Sequence, residues 1–192
     1  ELLCPEIGRG YGPSPSALDK LLKEKRYKLE LGKIARDHFV PNLDDSCGRY
    51  FTYRDLIECG ETQKRLNLPN LPNNTASYTA LYDLAINVLD PVIDYFGMIV
   101  LTYGFCSHEL SKNIHKRVAP KLDQHCSYES DSKNKPICGR GGAAVDFLIE
   151  DEDSLEVATW IWKNLQFDRM YFYGPRNPIH VSFSEIPKRQ SF

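Results

Sequence analysis

The apolar positions of this chain fall into two rhythms. Between residues 77 and 96, Leu81, Leu84, Ala85, Val88, Leu89, Val92, Ile93 and Phe96 recur at three- and four-residue intervals. They form one broad stripe, which predicts an amphipathic helix. Pro91 is expected to bend or divide it, and Gly97 to close it. The same spacing predicts a lysine-rich helix over 16–31, stopped by Gly32, and a short helix over 107–114. A helix over 151–165 carries Leu155, Val157, Ala158, Ile161 and Trp162, with acids crowded at its start where the helix dipole favours them. Thr52, with Asp55 three residues on, predicts a capped helix running to about residue 66. The second rhythm is the short apolar run rich in β-branched and aromatic residues. It predicts strands over 98–103, 144–150, 170–173 and 179–183.

Prolines and asparagines mark 68–75 as a loop, and the polar stretch 128–142, ending Gly139-Arg140-Gly141-Gly142, as another. Residues 1–16, rich in Gly and Pro, read as an extended arm. Helices come first, and strands with interspersed helices follow. That order predicts an α+β fold, with helices covering one face of a mostly antiparallel sheet. At 192 residues, 42% of them hydrophobic, the chain is long enough for one well-buried domain.

A net charge of −2 gives no global reason to expect nucleic acid or an anionic membrane as partner. No apolar run approaches the roughly 20 residues of a membrane span. Six cysteines without a C-x-x-C pair favour free thiols in a reducing compartment, hence a cytoplasmic location. Cys126 and Cys138 flank the polar stretch, where a disulfide or a metal contact is the alternative to free thiols. Glu1 is not a start methionine, which is consistent with a larger parent protein or a processed form.

Chemistry enters with three dispersed residues. His125 stands in Asp123-Gln124-His125, Asp146 in Gly142-Ala143-Ala144-Val145-Asp146-Phe147, and His180 in Pro178-Ile179-His180-Val181-Ser182. Two imidazoles and a carboxylate supply three of four ligands of a tetrahedral zinc, with one position open, as in catalytic sites. A carboxylate within an apolar strand is costly unless paired or metal-bound. The plainer readings are a surface histidine for His125 and a backbone-bonded core histidine for His180. His38, His108 and His115 read as exposed or structural. Tyr171 and Tyr173 share one face of a strand and are expected to line a cleft, while Phe172 packs in the core.

Taken in order, these phrases resemble the D-alanyl-D-alanine carboxypeptidase and Hedgehog-type zinc-peptidase superfamily, over about residues 77–184. A long helix ends at Gly97 and leads through a strand to Tyr103-Gly104-Phe105-Cys106-Ser107, where the family has Ser-Gly-Tyr-Arg-Ser. The family phrase Ser-x-His-x-x-Gly-x-Ala-x-Asp is met in two parts, Asp123-Gln124-His125 and Gly142-x-Ala144-x-Asp146. A strand with His180-Val181 completes the set. The resemblance implies a Hedgehog/DD-peptidase-like fold over residues 77–192, with residues 1–76 as an N-terminal helical extension packing on the core. It also implies zinc held by His125, Asp146 and His180.

The chain departs from the family in three places. A polar insertion separates His125 from Asp146, and an ungapped match would put Gly139 at the histidine. Asn177 stands where the family has its proton-accepting carboxylate, with Glu150, Asp151 or Asp168 as substitutes. Cys106 replaces the family arginine. Arg176, and less strongly Arg140, are candidates for the lost anion clamp, while Cys106 and Tyr173 are further candidate substrate contacts. The resemblance, with these departures, implies a zinc-dependent hydrolase acting on a small peptide-like or amide substrate, with activity altered or reduced. A non-catalytic zinc-stabilised binding module of a larger protein is the alternative. A nucleic-acid-associated domain, resting on the lysine-rich helix and Lys112, Lys116, Arg117 and Lys121, is disfavoured.

Overall fold

Among the described residues, Thr52 opens the first helix as its sequence dictates. Its hydroxyl accepts the Asp55 N–H while the Asp55 carboxylate accepts the Thr52 N–H, a reciprocal capping box. This helix, α1, spans Tyr53–Ile57. It stops short of residue 66 because its last carbonyls are taken from outside. Phe105 N–H donates to Leu56 O at 2.8 Å, and the Asn70 side chain donates to Ile57 O at 2.7 Å. Gly60 then takes extended backbone, and a separate helix, α2, runs over Glu61–Leu66.

The computed structural model describes residues 40–114 and 119–192. The chain divides into two compact units at residues 36 and 37, and the described residues lie in the second. Cys47, Tyr53, Leu56 and Ile57 belong to the same hydrophobic core as the residues after 77. The helix expected over 16–31 lies outside the described residues.

Asn74 caps α3, Thr75–Leu84, by accepting the Ala76 N–H. The long helix continues through a π-helical turn, Ala85–Leu89, into α4, Asp90–Phe96. The division is the one Pro91 demands. Proline lacks an N–H and crowds the carbonyl four residues back, and a widened turn absorbs both. Helix α5 is His108–Lys112, capped by the Ser107 hydroxyl, and α6 is Ser154–Asn164, capped by Asp153. A small hairpin, β1 (Ser46–Cys47) with β2 (Phe51–Thr52), precedes α1.

The main sheet contains β3 (Val100–Tyr103), β4 (Ala143–Leu148), β5 (Arg169–Phe172), β6 (Ile179–Phe183) and β7 (Gln190–Ser191), in the order β3-β4-β6-β5-β7. Every pairing is antiparallel except β5 with β7. The fold is thus α+β with a mostly antiparallel sheet. Strand residues alternate between faces. Ala143, Val145 and Phe147 of β4, Ile179 and Val181 of β6, and Met170 of β5 enter the core with Leu81, Leu84, Val88 and Val92 of the long helix and Ile161 of α6. The opposite face carries Asp146, His180 and Tyr171. No helix among the described residues is long and apolar enough to cross a membrane.

Candidate metal centre

The sheet register gathers the site. Asp146 pairs with His180 across β4 and β6, Tyr171 pairs with His180 across β5 and β6, and Tyr103 pairs with Asp146 across β3 and β4. These four side chains therefore form one row on one face. His125 reaches the row from outside the sheet, on a short 3-10 turn, Gln124–Cys126, where its own N–H donates to the Asp123 carboxylate.

His125 Nε2, His180 Nδ1 and Asp146 Oδ1 form a small triangle. Its edges are 3.2 Å between the imidazoles, 2.8 Å from His180 to Asp146 and 3.3 Å from His125 to Asp146. Neighbouring donors of a tetrahedral ion with bonds of about 2.0–2.1 Å stand about 3.3–3.4 Å apart. The triangle has that size, and the group could hold a metal ion. Among the described residues no fourth His, Cys, Asp or Glu joins it.

Local structure fixes His125 in a ligating posture. Its Nδ1 lies 2.8 Å from the Gly104 carbonyl. A carbonyl can only accept, so Nδ1 carries a proton and Nε2 is the nitrogen turned toward the triangle. The Cys106 N–H donates to His125 O, and the Tyr103 ring packs on the imidazole at 4.2 Å. Gly104 has to be glycine. A Cβ there would stand 2.1 Å from Leu56 O, so any side chain would push the turn, and its orienting carbonyl, away from α1.

Beside His125, Gln124 is fully buried. It donates to Gly141 O and Asp168, and accepts from the Ser182 hydroxyl. Its partners lie on the glycine-rich loop, ahead of β5, and on β6, so one side chain pins the ligand turn to all three. Gly142 has φ +81°, and a Cβ there would meet Phe183 O at 2.3 Å. The glycines of this stretch thus allow the loop to lie close against β6.

The electrostatics are those of a shared site. Burial opposes charge on His125, but the Asp146 carboxylate, aided by Asp123 and Cys106, prevails and raises its pKa to about 9. Burial likewise opposes charge on Asp146, yet His125 and His180 hold it below the usual carboxylate range. Burial is the largest effect on His180 and lowers its pKa, which favours the neutral ring. Without a metal, a protonated His125 and a neutral His180 can both donate to Asp146.

The group opens into a cavity of about 310 Å³, lined also by Thr62, Tyr103, Asp123, Arg169, Tyr171 and Tyr173. Thr62 comes from α2, so residues before 77 help to build the site. Tyr173 lines it as expected, its ring parallel to Tyr171 at 6.2 Å. Burial pushes the Tyr173 phenol up.

Other candidates are placed elsewhere. Cys106 is fully buried in a small satellite core with Leu110 and Cys126. Its thiol is held below the usual range by hydrogen bonding to Cys126, against burial, and with help from Tyr103. Cys106 supports the ligand turn from behind and does not line the cavity. Arg176 lines a different hollow, with Asp151, Glu152 and Asp153. Arg140 makes a bidentate pair with Asp168, which takes both out of contention as clamp and as base. Glu150 is exposed, and Asn177 donates to the Tyr173 carbonyl in the turn before β6. Cys47, Cys59, Cys106 and Cys138 carry free thiols, so no disulfide joins Cys138 to Cys126.

Sequence reasoning missed Asp123, Arg169 and Gln124. Arg169 was within reach: it stands two residues before Tyr171, hence on the same face of the strand. Asp123 and Gln124 give no signal in the sequence beyond their nearness to His125. No family model, curated protein or solved structure matches this chain.

Proposed function

We propose that this domain is a zinc-dependent hydrolase acting on a small amide or peptide-like substrate, with a Hedgehog/DD-peptidase-like arrangement and altered activity. The observation that carries the reading is the triangle of His125 Nε2, His180 Nδ1 and Asp146 Oδ1 at the base of a cavity. Two neutral imidazoles and one carboxylate are a donor set suited to zinc, and they leave a tetrahedral ion one open position. The chemistry that a bound zinc supplies is polarisation of a carbonyl and a lowered pKa for coordinated water.

The chain's own groups do the rest. The Gly104 carbonyl keeps the His125 tautomer fixed. Tyr103 and the satellite core behind it shield one side of the ligands from water. Tyr173 presents a phenol, kept protonated near neutrality, as a hydrogen-bond donor to a substrate oxygen. Asp123 is the carboxylate, other than the ligand, that lines the cavity among the described residues. It also caps the ligand turn, so its role as proton acceptor is testable by Asp123→Asn. A positioned base contributes about 10²–10⁴ in rate.

The test is elemental analysis of the purified protein followed by hydrolysis assays on a panel of N-acyl amides. The expected content is about one zinc per chain, and much less in His180→Ala. Equal metal content in the two proteins would end the proposal. Full zinc occupancy with no hydrolysis of any amide would favour the non-catalytic binding module instead.

A further inference from the structure

Among the described residues, Arg169 is a buried cation without an acidic partner. Only 6% of the residue is exposed, yet its side chain lines the same cavity as His125, Asp146 and His180. Its guanidinium lies over the rings of Tyr171 and Phe192, at 5.1 and 5.2 Å from their centroids. Among the described residues it makes one side-chain hydrogen bond, from Nη1 to the Leu122 carbonyl at 3.3 Å, and its Nε is buried without a partner. No carboxylate among those residues pairs with it. Arg140, also close to the ligand turn, is satisfied by Asp168. Burying a charge is costly unless a partner offsets it. The aromatic faces offset part of that cost and hold the guanidinium plane fixed.

We propose that the cavity binds a ligand with an anionic end, a carboxylate or a phosphate, and that Arg169 receives it. A planar fork of donors suits either group by paired hydrogen bonds. The charge balance agrees. With a divalent ion on the ligand triangle, the formal charges of the described lining residues Asp123, Asp146 and Arg169 sum to a net positive value. The inference deepens the metal-centre reading and rests on it for the reactive end of the ligand, but the seat for the anion is the arginine.

Two matched probe pairs test it by calorimetric titration: N-acetylglycine against N-acetylglycinamide, and glycerol 3-phosphate against glycerol. Wild type is expected to bind the charged member of at least one pair about tenfold or more tightly than the neutral member. The pair that responds tells carboxylate from phosphate. Arg169→Gln reduces that preference to about twofold or less, and Arg169→Lys, which keeps the charge but loses the fork, retains part of it. Melting curves of both variants confirm folding, and Lys carries the test should Gln unfold.

His180→Ala separates the two readings. An anion seated on Arg169 keeps its preference when the metal group is disabled, whereas an anion bound to the metal loses it. Zinc uptake without an Arg169-dependent preference overturns this inference alone. A preference without zinc uptake overturns the metal reading alone. No saturable binding of either charged probe at millimolar concentration also overturns it.

Discussion

The central strands present two faces built from neighbouring residues of the same backbone. On the helix-covered face of β4 stand Ala143, Val145 and Phe147, all but excluded from solvent. One residue out of step stands Asp146, with His180 and Tyr171 beside it on β6 and β5. The first face is held by burial and close packing, and any apolar side chain of similar volume would serve it. The second is held by directional contacts among groups that are costly to bury singly. A one-residue slip of register would exchange the two sets, placing a carboxylate and an imidazole against the long helix. The dry face therefore fixes the register, and the register sets the ligand row.

The sharpest way to break the comparison is to injure the dry face. Phe147→Ala removes a fully buried ring and is expected to cost about 3–5 kcal/mol in chemical denaturation. The chains that remain folded should still take up zinc in proportion. Injury to the other face should show the converse. Asp146→Ala is expected to abolish zinc uptake, measured by elemental analysis, while far-ultraviolet circular dichroism stays that of a folded α+β protein. Loss of the fold with Asp146→Ala, or of the metal alone with Phe147→Ala, would contradict the division of labour.

A gentler lesion lies where the two systems meet. Gly104 sits between Leu56 O, at the end of α1, and the His125 ring. Gly104→Ala forces the turn away from α1 at about 1–3 kcal/mol, the scale of local backbone strain. It also moves the carbonyl that orients His125. Disturbed support of a ligand typically costs about 10–100-fold in metal affinity, readable by competition with a chelating dye. An unchanged affinity would show that the Gly104 carbonyl does not orient the imidazole.

The sequence made the dry face legible because period and burial go together. The stripe from Leu81 to Phe96 and the runs around Val145 and Val181 announce their elements without knowledge of their neighbours. The three residues of the candidate metal site were legible for the opposite reason, each breaking an otherwise apolar or loop context. Features set by distant partners were not legible. The end of α1 depends on Phe105 and Asn70, which accept nothing from a helix pattern and are remote in sequence. The hairpin at residues 46–52 and β7 are two-residue strands, too short for any rhythm. Arg176 was favoured as a clamp by its nearness to His180 along the chain, but the turn between β5 and β6 carries it to another hollow. Arg169, farther away in sequence, is brought close by antiparallel pairing.

The smallest effect expected concerns protons. In the metal-free protein the His125 pKa is raised from 6.5 to about 9. A raised folded-state value means stabilisation that is complete below 6.5 and lost as pH climbs through 9. Asp146 is depressed from 3.8, so its share is present above 3.8 and lost as pH falls through the lowered folded value. As far as His125 and Asp146 are concerned, metal-free stability should therefore be greatest between about pH 4 and 6.5; the lowered His180 value works against this, its share being lost as pH falls below 6.5. Zinc needs the lone pair that the His125 proton occupies, whereas His180 only has to move its proton from Nδ1 to Nε2. Binding at neutral pH should thus release about one proton per zinc from the pair, and apparent affinity should rise with pH toward 9. Titration calorimetry in buffers of different ionisation enthalpy measures that number directly. A value near zero would mean that His125 is already neutral, and that Asp146 alone does not hold the proton the ion must displace.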